Sequence, residues 1–92
     1  MNTIDKSKLI GNMADNLPML RTRLGMTQEE LAERIGVSRS TVLSIENKKR
    51  DMTWNTFLSL MYLFTNHEVT DKLLRVLDIN TTEINRYMHG HR

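Results

Sequence analysis

Rotated by about 100° per residue, the stretch from Ser38 to Asn47 puts Arg39, Ser40, Leu43, Ser44 and Asn47 on one side of a helix. Thr41, Val42 and Ile45 fall on the other. The first set suits contact with base edges. A guanidinium such as that of Arg39 donates two parallel hydrogen bonds to guanine O6 and N7, serine hydroxyls such as Ser40 and Ser44 donate or accept at most base edges, and Leu43 suits a thymine methyl. Lys48, Lys49 and Arg50 follow at once. Such a run has the charge for phosphate contact, although alone it reads equally well as a solvated face. Catalysis is not indicated: no set of His, Asp, Glu and Ser stands at catalytic spacing, and the expectation is a protein that is no enzyme and needs no cofactor. Of the histidines His67, His89 and His91, the last two flank Gly90 near the end of the chain, a placement that fits a frayed tail better than a metal site.

A helix that presents such a face needs neighbours that hold it. β-Branched residues do not alternate with polar ones over any useful length, and the apolar pattern is helical throughout, so an all-α bundle is expected. Leu17, Leu20, Arg21 and Leu24 share one face of a first helix, with Asn16 as N-cap, Pro18 in its first turn and Gly25 as its stop. Ile10 and Met13 extend that face backwards, against the breaking tendency of Gly11 and a polar start. Thr27 and Glu30 form a capping-box pair opening a second helix that ends near Ile35, with Leu31, Ala32 and Ile35 inward. Gly36 suits a left-handed helix end, and Ser38 caps the third helix two residues later.

Thr53 caps a fourth helix whose apolar residues, Trp54, Phe57, Leu58, Leu60, Met61, Leu63 and Phe64, are too many for one narrow stripe, so it belongs at the centre of the core. Thr65 and Glu68 repeat the capping-box spacing before a fifth helix, expected to bury Val69, Leu73, Val76 and Leu77 and to end near Asp78. Asn80 with Glu83 suggests a further cap, and Ile84, Tyr87 and Met88 then share one face of a short terminal helix. The expected division is an N-terminal arm over 1–15, a core domain over 16–78 and an extension over 79–92.

Composition sets the outer bounds. Ninety-two residues make one domain with a modest core and no room for a deep enzymatic cleft beside it. With 39% hydrophobic and 26% charged residues the chain has an ordinary globular balance. No apolar run approaches the roughly 20 residues a spanning helix needs, and Asp5, Lys6 and Lys8 interrupt the start in a way a secretory signal does not, so no membrane association and a cytoplasmic location are expected. Cysteine is absent, which excludes disulfides and thiolate metal sites. The net charge of +2 would not by itself identify a nucleic-acid binder. Its distribution says more: Arg39, Lys48, Lys49 and Arg50 lie close together while Glu29, Glu30 and Glu33 sit on one short upstream segment.

The run Thr27-Gln28-Glu29-Glu30-Leu31-Ala32, then Gly36-Val37-Ser38-Arg39, then Ile45-Glu46-Asn47, resembles the phage Cro and CI repressor type of helix-turn-helix regulator, the XRE-like family. The resemblance covers about Leu17 to Leu77 and implies a five-helix bundle that binds double-stranded operator DNA, commonly as a homodimer on a palindromic site. It implies that Arg39, Ser40 and Ser44 read bases and that Gln28, Asn47 and Lys49 approach the backbone. Ser38, Lys48 and Arg50 join that backbone set by their position beside the recognition helix. It further implies an internal ion pair between Arg21, on the inward face of the first helix, and Glu46, at the edge of the buried face of the third. The chain departs from the family pattern at Lys48, where glycine is usual, and at Met52, where proline is, with Thr53 in the serine position. The stretch Thr65 to Asp71 is longer than the family's usual turn between helices four and five.

Within this reading Ile84, Tyr87 and Met88 form a dimerisation face, since three apolar residues on one side of a terminal helix need a partner. The alternative is that the tail folds back on its own core. A second function class also fits: antitoxins and anti-repressor partners share this architecture and dock a protein, such as a toxin, through terminal extensions.

Overall fold

The computed structural model describes residues 4–89, and His91 lies outside them. Six helices, α1 (Lys6–Arg23), α2 (Gln28–Ile35), α3 (Arg39–Glu46), α4 (Trp54–Thr65), α5 (Glu68–Val76) and α6 (Thr82–His89), follow one another with no strand among the described residues.

Helix α1 begins at Lys6, not at the expected position beyond Asn16, so the presumed arm is mostly helix. Asp5 is its N-cap, the carboxylate accepting from the Lys8 amide at 3.1 Å. Asn16 instead donates Nδ2 to the Asn12 carbonyl at 2.8 Å. Pro18 therefore sits in the helix interior, where it removes a main-chain bond at a cost of about 3 kcal/mol. Leu9 and Met13, buried in the same stripe as Leu17 and Leu20, offset this at about 1.5–3 kcal/mol each.

Around that stripe the core collects Leu31 and Ala32 of α2, Val42 and Ile45 of α3, Met52, and five residues of α4: Phe57, Leu60, Met61, Leu63 and Phe64. Four helices end in the same way. After α1, α2, α3 and α5 one residue turns left-handed, Gly25 (φ 69°), Gly36 (φ 76°), Lys48 (φ 64°) and Asp78 (φ 65°) respectively. The next amide then reaches back to a carbonyl of the last turn, as in Val37 N to Ala32 O at 3.0 Å and Lys49 N to Ser44 O at 2.8 Å.

The C-terminal part differs from the expectation in phase. Thr65 remains within α4, its hydroxyl donating to the Met61 carbonyl at 2.7 Å, and His67 occupies the N-cap of α5 without a side-chain bond. Only Asn66 and His67 separate the two helices, so most of the stretch Thr65 to Asp71 is helical. The buried residues of α5 are Thr70 and Leu74, with Leu73 and Leu77 half-buried, whereas Val69 and Val76 are 51% and 81% exposed. Thr70 can occupy a core position because its hydroxyl donates to the Phe64 carbonyl at the end of α4, 2.7 Å away.

Helix α6 packs back on the bundle. Ile84 is fully buried and Met88 is partly buried against the core, so these two are not free apolar surface in need of a partner. Tyr87 is 49% exposed, and its hydroxyl accepts from the Trp54 indole at 3.2 Å. The side-chain cap of α6 is Thr81, which accepts from the Ile84 amide at 3.3 Å, in place of the expected Asn80.

Candidate nucleic-acid interface

Three local devices set the angle between α2 and α3. The Thr27 hydroxyl accepts from the Glu30 amide at 3.0 Å while the Glu30 carboxylate accepts from the Thr27 amide at 2.8 Å, which fixes where α2 starts. Gly36 reverses the chain, and Ser38 accepts from the Thr41 amide at 3.1 Å to start α3. Burial of Val42 and Ile45 then leaves Arg39, Ser40, Leu43 and Asn47 exposed, with Ser44 half-buried between them. The outward face of α3 is thus a short polar ridge with one apolar residue, Leu43, at its centre.

The end of α3 is fastened from within. Arg21 Nε and Nη2 donate to the two oxygens of Glu46 at 2.8 and 3.1 Å, and Arg21 Nη1 donates to the Met26 carbonyl at 2.9 Å. The pair is nearly dry, with side chains 15% and 5% exposed. Gln28, at the first position of α2, donates Nε2 to Glu46 at 2.9 Å, so its amide is a strut between α2 and α3 as well as a group at a helix start. Among the described residues no buried side-chain polar atom lacks a partner.

The basic segment after α3 does not hang free. Lys48 pairs with Asp15 of α1, and Arg50 donates Nη1 to the Thr41 hydroxyl at 2.9 Å, which returns the loop to the first turn of α3. Lys49 is exposed. Neither the Asp15–Lys48 pair nor the Thr41–Arg50 bond has a signal in the sequence: Asp15 is one carboxylate on a long helix, and helical period puts Thr41 on the buried side of α3. The Gln28 strut has no signal in the sequence, where the resemblance alone assigns Gln28 a role at the DNA backbone.

The stretch from the last residues of α1 to the cap of α4 carries all of these devices except Asp15, and the helix-turn-helix family matches residues 19–53. The resemblance read from Thr27 to Asn47 falls inside that match. Over 26 residues, 28% of this chain and 38% of the relative, the chain is 62% identical to an uncharacterized HTH-type transcriptional regulator of Methanothermobacter thermautotrophicus. Over 49 residues, 53% of this chain and 56% of the relative, it is 33% identical to the antitoxin HipB of Escherichia coli. The chain therefore spans less than two thirds of either relative. No solved structure is a significant match.

Proposed function

We propose that the chain is a sequence-specific DNA-binding transcriptional regulator, not an enzyme, that acts in the cytoplasm as a repressor and sets α3 into the major groove. The observation that carries this is the polar ridge of α3 held on a dry frame: an ion pair, a capped turn and a packed underside leave one face of one helix rigid and open. In the groove Arg39, Ser40, Leu43 and Ser44 meet base edges, while Gln28, Ser38, Asn47, Lys49 and Arg50 meet the backbone. Lys48 joins the backbone set only by sharing its ammonium with Asp15.

One such helix reads few base pairs, and at about 1–3 kcal/mol per mismatch a single copy discriminates weakly against a genome of competing sites. A homodimer on a palindromic operator removes that weakness. With Ile84 committed to its own core, the exposed apolar residues of α4 and α5, Tyr62, Val69 and Val76, are better placed than α6 to meet a second copy. A second reading, an antitoxin that also docks a partner protein, is favoured by the likeness to HipB.

Selection of bound sequences from a random duplex pool tests the first reading. The expected result is one enriched motif with two inverted half-sites about one helical turn apart. No enrichment over the input pool would overturn it. Stable co-purification with a small co-expressed toxin would favour the second.

A further inference from the structure

We infer that Thr41 is a positioning residue: through its hydroxyl it holds the guanidinium of Arg50 against the first turn of α3, where Arg50 meets a DNA phosphate on the flank of the groove opposite Gln28. The inference rests on the reading of α3 as the groove helix. Arg50 is an exposed residue of the loop after α3, nine positions beyond Thr41, yet its Nη1 lies 2.9 Å from Thr41 Oγ1. A guanidinium only donates, so Thr41 accepts, and its own proton is free for Ser38 Oγ at 2.9 Å, which in turn lies 3.1 Å from Ser40 Oγ. The hydrogen bonds thus link Arg50 through Thr41 and Ser38 to Ser40. Arg50 uses one of its five N–H groups on Thr41 and keeps the others for an anion.

The place of this anchor decides the ligand. Thr41 and Glu46 are about 140° apart around α3, and Glu46 is where Gln28 is bonded, so Gln28 and Arg50 stand on opposite flanks of the exposed ridge. A helix with its side chains is about 10–12 Å wide and the major groove about 12 Å, so a helix seated there turns its flanks to the two phosphate walls rather than to base edges. Arg50 is therefore a phosphate contact set by the recognition helix itself. Its guanidinium is tied to the helix that carries Ser40 through side-chain hydroxyls as well as through the loop.

The test uses the full chain with a duplex recovered from the random pool and a scrambled duplex of equal length. Arg50→Ala is expected to weaken binding to both duplexes about tenfold and to lower the salt slope by about 1. Thr41→Val keeps the shape of the side chain and removes the acceptor. It is expected to weaken binding several-fold in the otherwise natural chain and to change nothing further in the Arg50→Ala background, with Thr41→Ser restoring binding. A merely structural Thr41 would weaken both backgrounds alike, and such additivity overturns the inference. So does an unchanged salt slope in Arg50→Ala, a variant at an exposed position that leaves the fold intact. Failure of the natural chain to bind any duplex defeats the reading of α3 as a groove helix instead, and that result is separate from the other two.

Discussion

Two ion pairs join α1 to the end of α3, and they differ in almost everything except their charges. Arg21 and Glu46 meet through two hydrogen bonds with side chains 15% and 5% exposed, and both make further bonds, to the Met26 carbonyl and from the Gln28 amide. Asp15 and Lys48 meet in water, 60% and 58% exposed. Exposed pairs contribute about 0–1 kcal/mol because solvent already screens the charges and long side chains lose freedom on pairing. A dry pair behaves otherwise. Its members were desolvated when the chain folded, so each compensates the hydration the other has lost. The dry pair thus defines the frame of the helix-turn-helix, and the wet one adjusts its edge.

Removing half of the dry pair is the strongest way to break this contrast. Arg21→Ala or Glu46→Ala is expected to cost about 3–5 kcal/mol in urea unfolding, since the remaining charge is left buried without a partner. The double-mutant cycle should show a coupling of about 0.5–3 kcal/mol, and additivity within about 0.3 kcal/mol would mean the pair is no frame at all.

The same contrast appears in the backbone. Gly36 and Lys48 end α2 and α3 in the left-handed region, at φ 76° and 64°, one without a side chain and one with a long one. A Cβ built on Gly36 meets no atom within 4 Å, so Gly36→Ala tests conformation alone and is expected to cost about 1–2 kcal/mol. Lys48→Gly runs the experiment backwards. It relieves about 1–2 kcal/mol of left-handed strain, loses an exposed pair and adds freedom to the unfolded chain, for a net gain of about 0.5 kcal/mol. A net loss would show that the wet pair outweighs the strain.

How far the molecule is legible in its sequence follows from the same physics. Thr27, Gly36, Ser38 and Thr53 mark helix ends by local chemistry, and α2, α3 and α4 begin where those residues say. The start of α1 was misplaced because Gly11 and Pro18 argue against a helix that Leu9 and Met13 nevertheless stabilise by burial. In α5 the phase was misread because Thr70 looks polar and is buried, its hydroxyl satisfied by a carbonyl that only the tertiary fold brings near. Helical period alone told which side of α3 faces water. It could not show that Arg50 returns to Thr41, or that Lys48 turns to Asp15, since both bonds depend on the path of the loop.

The wet pair itself gives the smallest expected effect and the finest test. Asp15→Ala removes a carboxylate that is mostly solvated, so stability should change by less than about 0.5 kcal/mol, and what change there is should fade as salt is raised from 0.01 to about 0.15 M, where the Debye length falls to about 8 Å. Its effect on DNA should be larger in proportion. Without Asp15 the Lys48 ammonium has no competing anion, and binding to any duplex is expected to tighten about two- to threefold at low salt, with no change in the selected motif. Urea melts and filter binding at the two salt concentrations measure both quantities on one preparation. A stability loss above about 1 kcal/mol would place Asp15–Lys48 in the same class as the dry pair. Unchanged DNA affinity would remove Lys48 from the backbone contacts and leave Lys49 and Arg50 to carry the charge of the loop.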